Sequence, residues 1–288
     1  NRAFIHRVLS LVDGKPITIG EAHRLAQNDL VSGNGPTSGS DVTVNHLHYS
    51  LLGDPALALN LPMHQIVVDS INGIPVAGAA TLPMLKAGSI ARMAGHIEGA
   101  DDFRGVITAT VRDSKETVTC RLNDTGKDGA EKAFEYKDRT KTLYQGTDSV
   151  RGGKFTFSFA VPLDINYSNQ SGLVNLYAVN TAKTLSAHGS SEQFTVGESE
   201  EQKNDSIGPS IYCYLNSPSF VDGGNVNTTP FFVAKIIDKD GINAAGSGIG
   251  HDLQLVIDGD MSKTYVLNSN FIYDFGTYTS GSTYYSIQ

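Results

Sequence analysis

The sequence holds two cysteines, Cys120 and Cys213, and a thiolate is a ready nucleophile when it sits in an electropositive, accessible setting beside a histidine. Neither cysteine has that setting in sequence. Val118, Cys120 and Leu122 alternate with Thr117, Thr119 and Arg121, and Ile211, Cys213 and Leu215 form a second alternating series. Alternation predicts that both thiols face a core, where a thiol behaves as a small hydrophobe. A disulfide between them would have to link two separate domains, so both read as free. The tight pair His46-Leu-His48 puts two rings on one face of a strand and can ligate zinc, but no Glu or Cys nearby completes a ligand set. His251 closes the run Gly246-Ser-Gly-Ile-Gly-His-Asp252. That run has phosphate-loop glycines without the G-x-G-x-x-G spacing, a P-loop lysine or a following helix. The acidic clusters Asp101-Asp102, Asp238-Lys-Asp240 and Asp258-Gly-Asp260 lack calcium-loop spacing and read as turn residues, with an oxygen-rich calcium site as the alternative. No Gly-x-Ser-x-Gly elbow and no glycosidase carboxylate pair is present. The sequence nominates no catalytic, cofactor-binding or metal-ligating residue.

The elements around these residues follow from composition and period. The 288 residues carry 22 Lys+Arg against 30 Asp+Glu, a formal charge of −8. That balance, without a basic stripe, excludes nucleic acid as a partner. At 40 % apolar residues the chain is too hydrophobic for disorder, and no apolar run reaches membrane-helix length. An opening at Asn1 rather than Met reads as a piece of a longer protein. Phe4, Ile5, Val8, Leu9 and Val12 recur at helical spacing up to Gly14, and Thr18-Ile-Gly-Glu21 is a capping box for a second helix running to Val31. Two short helices and the apolar patch from Leu47 to Leu61 cannot enclose a core. Residues 1–62 therefore read as the helical C-terminal remnant of an α/β domain.

From residue 63 the period switches to two. Ile107, Ala109 and Val111 alternate with polar neighbours, as do Phe155, Phe157, Phe159 and Val161, and the pattern continues from Leu173 to Val179 and from Gln193 to Val196. Turn signals fall between the runs at Asn72-Gly73, Asp124-Thr-Gly126, Lys127-Asp-Gly129 and Gly152-Gly153. This predicts a mainly β fold with an immunoglobulin-like sandwich over 63–198. The polar segment 199–209 reads as a linker. Residues 210–288 read as a second sandwich, short of the roughly 100 residues a complete one takes and so truncated.

Three stretches together carry a family resemblance. Asn45-His-Leu-His-Tyr-Ser-Leu-Leu-Gly-Asp-Pro-Ala-Leu57 resembles the end of the catalytic domain in gingipain-type cysteine peptidases. In that family a Leu-Gly-Asp-Pro-Ala/Ser-Leu signature precedes an immunoglobulin-like domain. Lys154–Asn166 and Asp240–Asp252 are similar to the β-rich region of one branch, the sortases of the type IX secretion system. The resemblance implies that residues 1–62 end a caspase-like peptidase domain and that tandem immunoglobulin-like β-sandwiches follow. It implies a His–Cys dyad upstream of this chain, so no catalytic residue is carried onto it. It further implies a parent that removes C-terminal signal domains from secreted cargo at the outer membrane. The implied partners are that cargo, the upstream catalytic domain and an outer-membrane β-barrel protein. The competing reading is a tandem immunoglobulin-like module of a cell-surface adhesin or glycan-binding protein, with Tyr212-Cys-Tyr214 and Tyr284-Tyr285 as stacking surfaces.

Overall fold

The computed structural model describes residues 2–32, 49–122, 132–200, 207–244 and 252–288. They fall into two compact units, Asn1–Met63 and His64–Gln288.

In the first unit, α1 (Arg2–Val8) and α2 (Ile19–Val31) flank a two-residue hairpin of β1 (Leu11–Val12) and β2 (Lys15–Pro16). The apolar spacing suggests a helix through Val12. Instead Asp13 and Gly14 take positive φ, 50° and 72°, and turn Leu11–Val12 into a strand, because an Asp-Gly step strongly favours a tight hairpin turn. Thr18 caps α2 as its spacing predicts, its Oγ1 accepting the Glu21 N–H at 3.2 Å. The reciprocal half of the box is replaced, since the Glu21 carboxylate takes two bonds from Arg24 at 2.8 and 2.6 Å. Arg7 ties the helices together with a bidentate pair to Asp29, 2.7 Å on each arm.

The Gly53-Asp54-Pro55 step has a specific task in this unit. The Ile19 N–H donates to the Leu57 carbonyl at 2.7 Å and the Gly20 N–H to the Pro55 carbonyl at 2.9 Å. Two backbone donors at the start of α2, which no helical carbonyl can reach, are thereby satisfied. Asp54 shapes the turn by accepting the Ala56 N–H at 2.9 Å, and Gly53 enters it at φ +127°, a region costly for a side chain with a Cβ. Gly53→Val should cost about 2 kcal/mol of backbone strain and loosen the carbonyls that hold α2. Hydrogen exchange at Ile19 and Gly20 reads this directly; wild-type protection of both amides in the variant would refute it.

In the second unit the strands begin with β3 (His64–Ile71), β4 (Ile74–Pro75), β5 (Met84–Ala87), β6 (Ile90–Ile97) and β7 (Gly105–Arg112). A ribbon of β8 (Glu116–Thr119) and β9 (Glu135–Asp138) follows, then β10 (Thr142–Arg151), β11 (Lys154–Ala160), β12 (Gln170–Ser171), β13 (Leu173–Asn180), β14 (Ser186–Ser191) and β15 (Thr195–Ser199). The last group is β16 (Ser210–Leu215), β17 (Phe231–Ile237), β18 (Gln254–Val256), β19 (Thr264–Val266), β20 (Ile272–Tyr273) and β21 (Ser280–Ser286).

The chain is mainly β, as its alternation predicts. Pairing adds what alternation does not carry. The order β14-β13-β7-β10-β11-β6-β3 closes on itself, because β14 also pairs with β3, in parallel, at Ala187↔His64 and His188↔Gln65. Closure removes two edges that would otherwise invite pairing with other chains. Inside the ring, the predicted faces are buried: Ile107, Val111, Phe157, Phe159 and Val174 are each at most 2 % exposed. A small sheet, β12-β15-β5, brings Phe194 and Val196 into the same core.

Two expectations need correction here. The run Val118–Cys120–Leu122 does not face a core. It lies along β8 and just past it, and among the described residues β8 pairs only with β9, so the ribbon is a two-stranded sheet of its own. Leu122 is 43 % exposed, Phe134 69 % and Tyr136 42 %. The face Ile211–Cys213–Leu215 is in register with Ile236, Ala234 and Phe232 of β17, the correct side of the sheet. However, β16 is the outer strand of the order β16-β17-β21-β20, and Ile211 remains 59 % exposed.

The expected linker 199–209 lies inside the second unit, with residues 201–206 outside the described ones. Ile236, Ile242, Phe271 and Tyr273, from beyond that segment, join one continuous hydrophobic cluster with the ring. Tyr273 packs on Tyr144 of β10 with ring centroids 5.1 Å apart, and the Gly276 N–H donates to the Thr147 carbonyl at 2.8 Å. Among the described residues, no helix is long and apolar enough to cross a membrane.

Candidate functional site

Among the described residues, those singled out for chemistry form no metal-holding group. Cys120 and Cys213 are both free and both exposed, which overturns the core-thiol reading for each. The Cys120 N–H donates to the Phe134 carbonyl at 2.9 Å across the ribbon. The Cys213 thiol is pushed above its ordinary pKa by partial burial against its own sheet, the opposite of what an activated nucleophile requires. His46, His48, His251 and the glycines from Gly246 to Gly250 lie outside the described residues, as do the turns expected over 124–129. Among the described residues, no three His, Cys, Asp or Glu side chains are grouped to hold a metal.

The acidic clusters that are described act locally. Asp238 Oδ1 accepts the Asp240 N–H at 3.0 Å. Asp258 and Gly259 form a positive-φ turn. Asp260 caps the short helix Met261–Lys263, accepting the Ser262 N–H at 2.9 Å and its hydroxyl at 2.7 Å. Those two bonds hold the Asp260 carboxyl below its ordinary pKa. The Asp238 and Asp260 carboxylates thus shape turns, as Asp beside Gly ordinarily does.

The buried polar chemistry lies elsewhere, at the foot of the β8–β9 ribbon. Asp113 is fully buried. Its two carboxylate oxygens accept the Ser114 and Asn166 N–H groups, each at 2.6 Å. Burial still outweighs those bonds and nearby Lys141, raising the Asp113 carboxyl above its ordinary pKa. Ser114 Oγ lies 2.7 Å from Ser168 Oγ. Arg139, 6 % exposed, donates to the Ser171 carbonyl at 2.8 Å and pairs with Glu192 at 3.1 Å. The Asp113 N–H donates to the Lys141 carbonyl at 3.0 Å, so the point where the ribbon leaves the ring is pinned by backbone and side chains alike. A raised carboxyl beside a serine invites a catalytic reading. However, Asp113 is fully buried with a backbone donor on each oxygen, and general-base work requires an oxygen within reach of the substrate proton it takes. The cluster positions chain segments.

One signal in the sequence marks this cluster. Ile107, Ala109 and Val111 set an inward phase, and the next inward position is Asp113. A charged residue in register with a core face must be paired or hydrogen-bonded.

A cleft of about 490 Å³ lies beside the junction of β10 with the C-terminal sheet, lined by Thr142, Tyr144, Gln145, Asn268, Phe271 and Tyr273 among others. Burial, reinforced by the Asp148 charge, pushes the Tyr144 phenol up to about 12. Burial also raises that of Tyr273, whose hydroxyl donates to the Ile242 carbonyl. Asn268 is committed too, accepting the Leu253 N–H at 2.9 Å and donating to the Ala244 carbonyl at 3.2 Å. The cleft is lined by hydroxyls, amides and aromatic rings, with no carboxylate, imidazole or thiol. It offers packing and hydrogen bonding and has no acid–base pair.

No family model matches the sequence, and no curated protein does. Among solved structures, the chain is similar to the crystal structure of dimeric latent PorU from Porphyromonas gingivalis, with 32 % sequence identity and a TM-score of 0.53. The match covers 98 % of this chain and 26 % of that one. The chain thus spans about a quarter of the length of PorU and resembles that part of it almost from end to end.

Proposed function

We propose that this chain is a non-catalytic portion of a PorU-like, secretion-linked cysteine peptidase of the gingipain type. In this reading the parent is a type IX secretion sortase that removes C-terminal signal domains from cargo at the outer membrane. The portion described here scaffolds the catalytic domain and presents surfaces to the cargo and to a β-barrel partner. The observation that carries the proposal is the 32 % identity to PorU over 98 % of the chain. The chemistry of the described residues supports it. The two thiols are free and exposed, and the buried Asp113 carboxylate accepts backbone N–H groups of two chain segments. The Leu-Gly-Asp-Pro signature supports it as well, because its carbonyls complete the start of α2, a structural task suited to the end of a peptidase domain.

The test has two arms. The purified 288-residue chain should leave a reporter protein bearing a C-terminal signal domain uncut. In the native host, deleting the codons for residues 64–288 in frame should abolish removal of that signal at the cell surface. Cleavage by the purified chain that iodoacetamide blocks would overturn the non-catalytic assignment. Undiminished signal removal after the deletion would overturn the sortase role.

A further inference from the structure

The C-terminal sheet, in the order β16-β17-β21-β20, has two unlike faces. The registers Cys213↔Ala234↔Thr283 and Ile236↔Gly281↔Tyr273 lie on one of them. Ala234, Ile236, Thr283 and Tyr273 are all buried there. The other face carries the rows Tyr214↔Val233↔Tyr284 and Tyr212↔Lys235↔Ser282↔Ile272. An antiparallel sheet with one wet face ordinarily turns polar side chains toward water. Here Tyr212, Phe231, Ile272 and Tyr284 are between 41 and 52 % exposed. The Phe231 and Tyr284 rings stack with centroids 5.4 Å apart, and those of Tyr212 and Tyr214 lie 5.7 Å apart. The sheet thus presents a strip of aromatic rings on a face whose opposite side is anchored in the core.

The chemistry of this strip selects its partner. Among the described outward residues of these strands, Lys235 alone is charged, and none bears a carboxylate or a side-chain amide. Lys235 is exposed, and in a chain of charge −8 a lone cation among rings favours a carboxylate from outside. Tyrosine-rich, charge-poor surface is the make-up of protein interface centres. A glycan fits less well, because sugar hydroxyls buried against Val233 and Ile272 would lose their hydrogen bonds to water without replacement. An anionic membrane draws on several lysines or arginines together, and this face has one.

We propose that the outer face of the C-terminal sheet is a transient docking surface for the cargo protein, which presents an apolar patch and one carboxylate that meets Lys235. This rests on the cargo-handling role given above and names the surface that performs it. Area argues for a partner that leaves. Four strands about 4.8 Å apart and about 20 Å long make a face of roughly 300 Å². A standard stable interface takes roughly 800 Å² from each partner, so contact here is weak and short-lived, as a processing enzyme requires of the protein it handles. The rings supply the apolar contact, and Lys235 sets the orientation, because a carboxylate is favoured at one point of the strip and nowhere else on it.

The test titrates the full chain into a fluorescently labelled reporter protein bearing a C-terminal signal domain and reads anisotropy. The wild-type chain should bind. Lys235→Glu and Tyr284→Ser should each weaken binding by at least about tenfold, the size of a central contact. Lys137→Glu makes the same charge change on β9 and should bind like wild type. Absence of binding, or wild-type affinity in folded Lys235→Glu and Tyr284→Ser, would overturn the proposal. So would equal weakening by Lys137→Glu, or displacement of the reporter by dextran, which would assign the face to a glycan. Should Tyr284→Ser fail to fold, Lys235→Glu decides, since its side chain is exposed. A second measurement in the native host separates this proposal from the role it rests on. Lys235→Glu in the full-length parent should slow signal removal. If deleting residues 64–288 abolishes removal and Lys235→Glu leaves its rate unchanged, the docking face is wrong and the sortase role stands. If the deletion itself changes nothing, the role falls, and reporter binding to the purified chain still decides the face.

Discussion

Gly189→Ala should destabilise the second unit by about 3 kcal/mol, the upper end of what an added methyl costs in a packed site. A Cβ at position 189 would lie 2.1 Å from the Ile66 carbonyl oxygen and 2.9 Å from that residue's carbonyl carbon and Cβ. The nearest obstacle is main chain, which no rotamer change can move aside. It is also the main chain of the seam, since Ala187↔His64 and His188↔Gln65 are the pairs that close the ring. Accommodating the methyl means parting β14 from β3, which leaves two edges open and lets water reach the ring interior. Urea unfolding should therefore show a lower midpoint for Gly189→Ala. Gly208→Ala, where a new Cβ meets nothing within 4 Å, should stay within about 0.5 kcal/mol of wild type. Equal midpoints for the two variants would show that the seam is loose and that the ring does not depend on closure.

Nothing in the sequence near Gly189 marks it as a seam. His188-Gly-Ser190 reads as an ordinary polar strand end, and only the partner, about 120 residues earlier in the chain, gives the glycine its meaning. The same division runs through the rest of the molecule. Alternation is a local property, so Phe155, Phe157 and Phe159 declare their buried face directly. Whether a second layer exists to cover an alternating strand is not local, and that is why Cys120 and Cys213 read as core residues and are exposed. Thr18 and Glu21 announced the start of α2, but the carbonyls of Pro55 and Leu57 that complete it come from the far side of 33–48. Asp113 was legible in principle, because it continues the inward phase of Ile107, Ala109 and Val111. Its partners Arg139 and Asn166 were not, since they come from two separate later segments.

These particulars bear on function through the division between committed and uncommitted side chains. Among the described residues, the buried polar side chains of the second unit are all hydrogen-bonded. On the outside lie the stacked Phe134 and Tyr136 of the β8–β9 ribbon and the tyrosines flanking Cys213, with the Tyr212 hydroxyl donating to the Pro218 carbonyl at 2.9 Å. Exposed aromatic residues on strands with one neighbour are features that binding, more than turnover, makes use of.

The cluster at the foot of the ribbon determines whether that surface is held still, and Arg139 is its test. The guanidinium is 6 % exposed. Its fork reaches three separate segments: the Asp113 carbonyl at 3.4 Å, the Ser171 carbonyl at 2.8 Å and the Glu192 carboxylate at 3.1 Å. Arg139→Ala removes a buried charge, leaves the Ser171 carbonyl without its donor and empties the space of the aliphatic stem. Glu192 is 55 % exposed at its side chain, so water takes over its charge, and the loss should sit near about 3 kcal/mol, the low end for breaking a buried pair. Glu192→Gln, which removes only the half-exposed partner, should cost under about 1 kcal/mol. Arg139→Lys should recover only part of the loss, because one ammonium cannot serve three acceptors arranged for a planar fork. The location of the damage distinguishes this account from general destabilisation. Amide exchange in Arg139→Ala should accelerate first over 116–119 and 135–138, where β8 and β9 pair only with each other, while the ring strand Lys154–Ala160 keeps its protection until global unfolding. Uniform acceleration across both segments would mean that the cluster supports the whole unit, and that the ribbon has no anchor of its own.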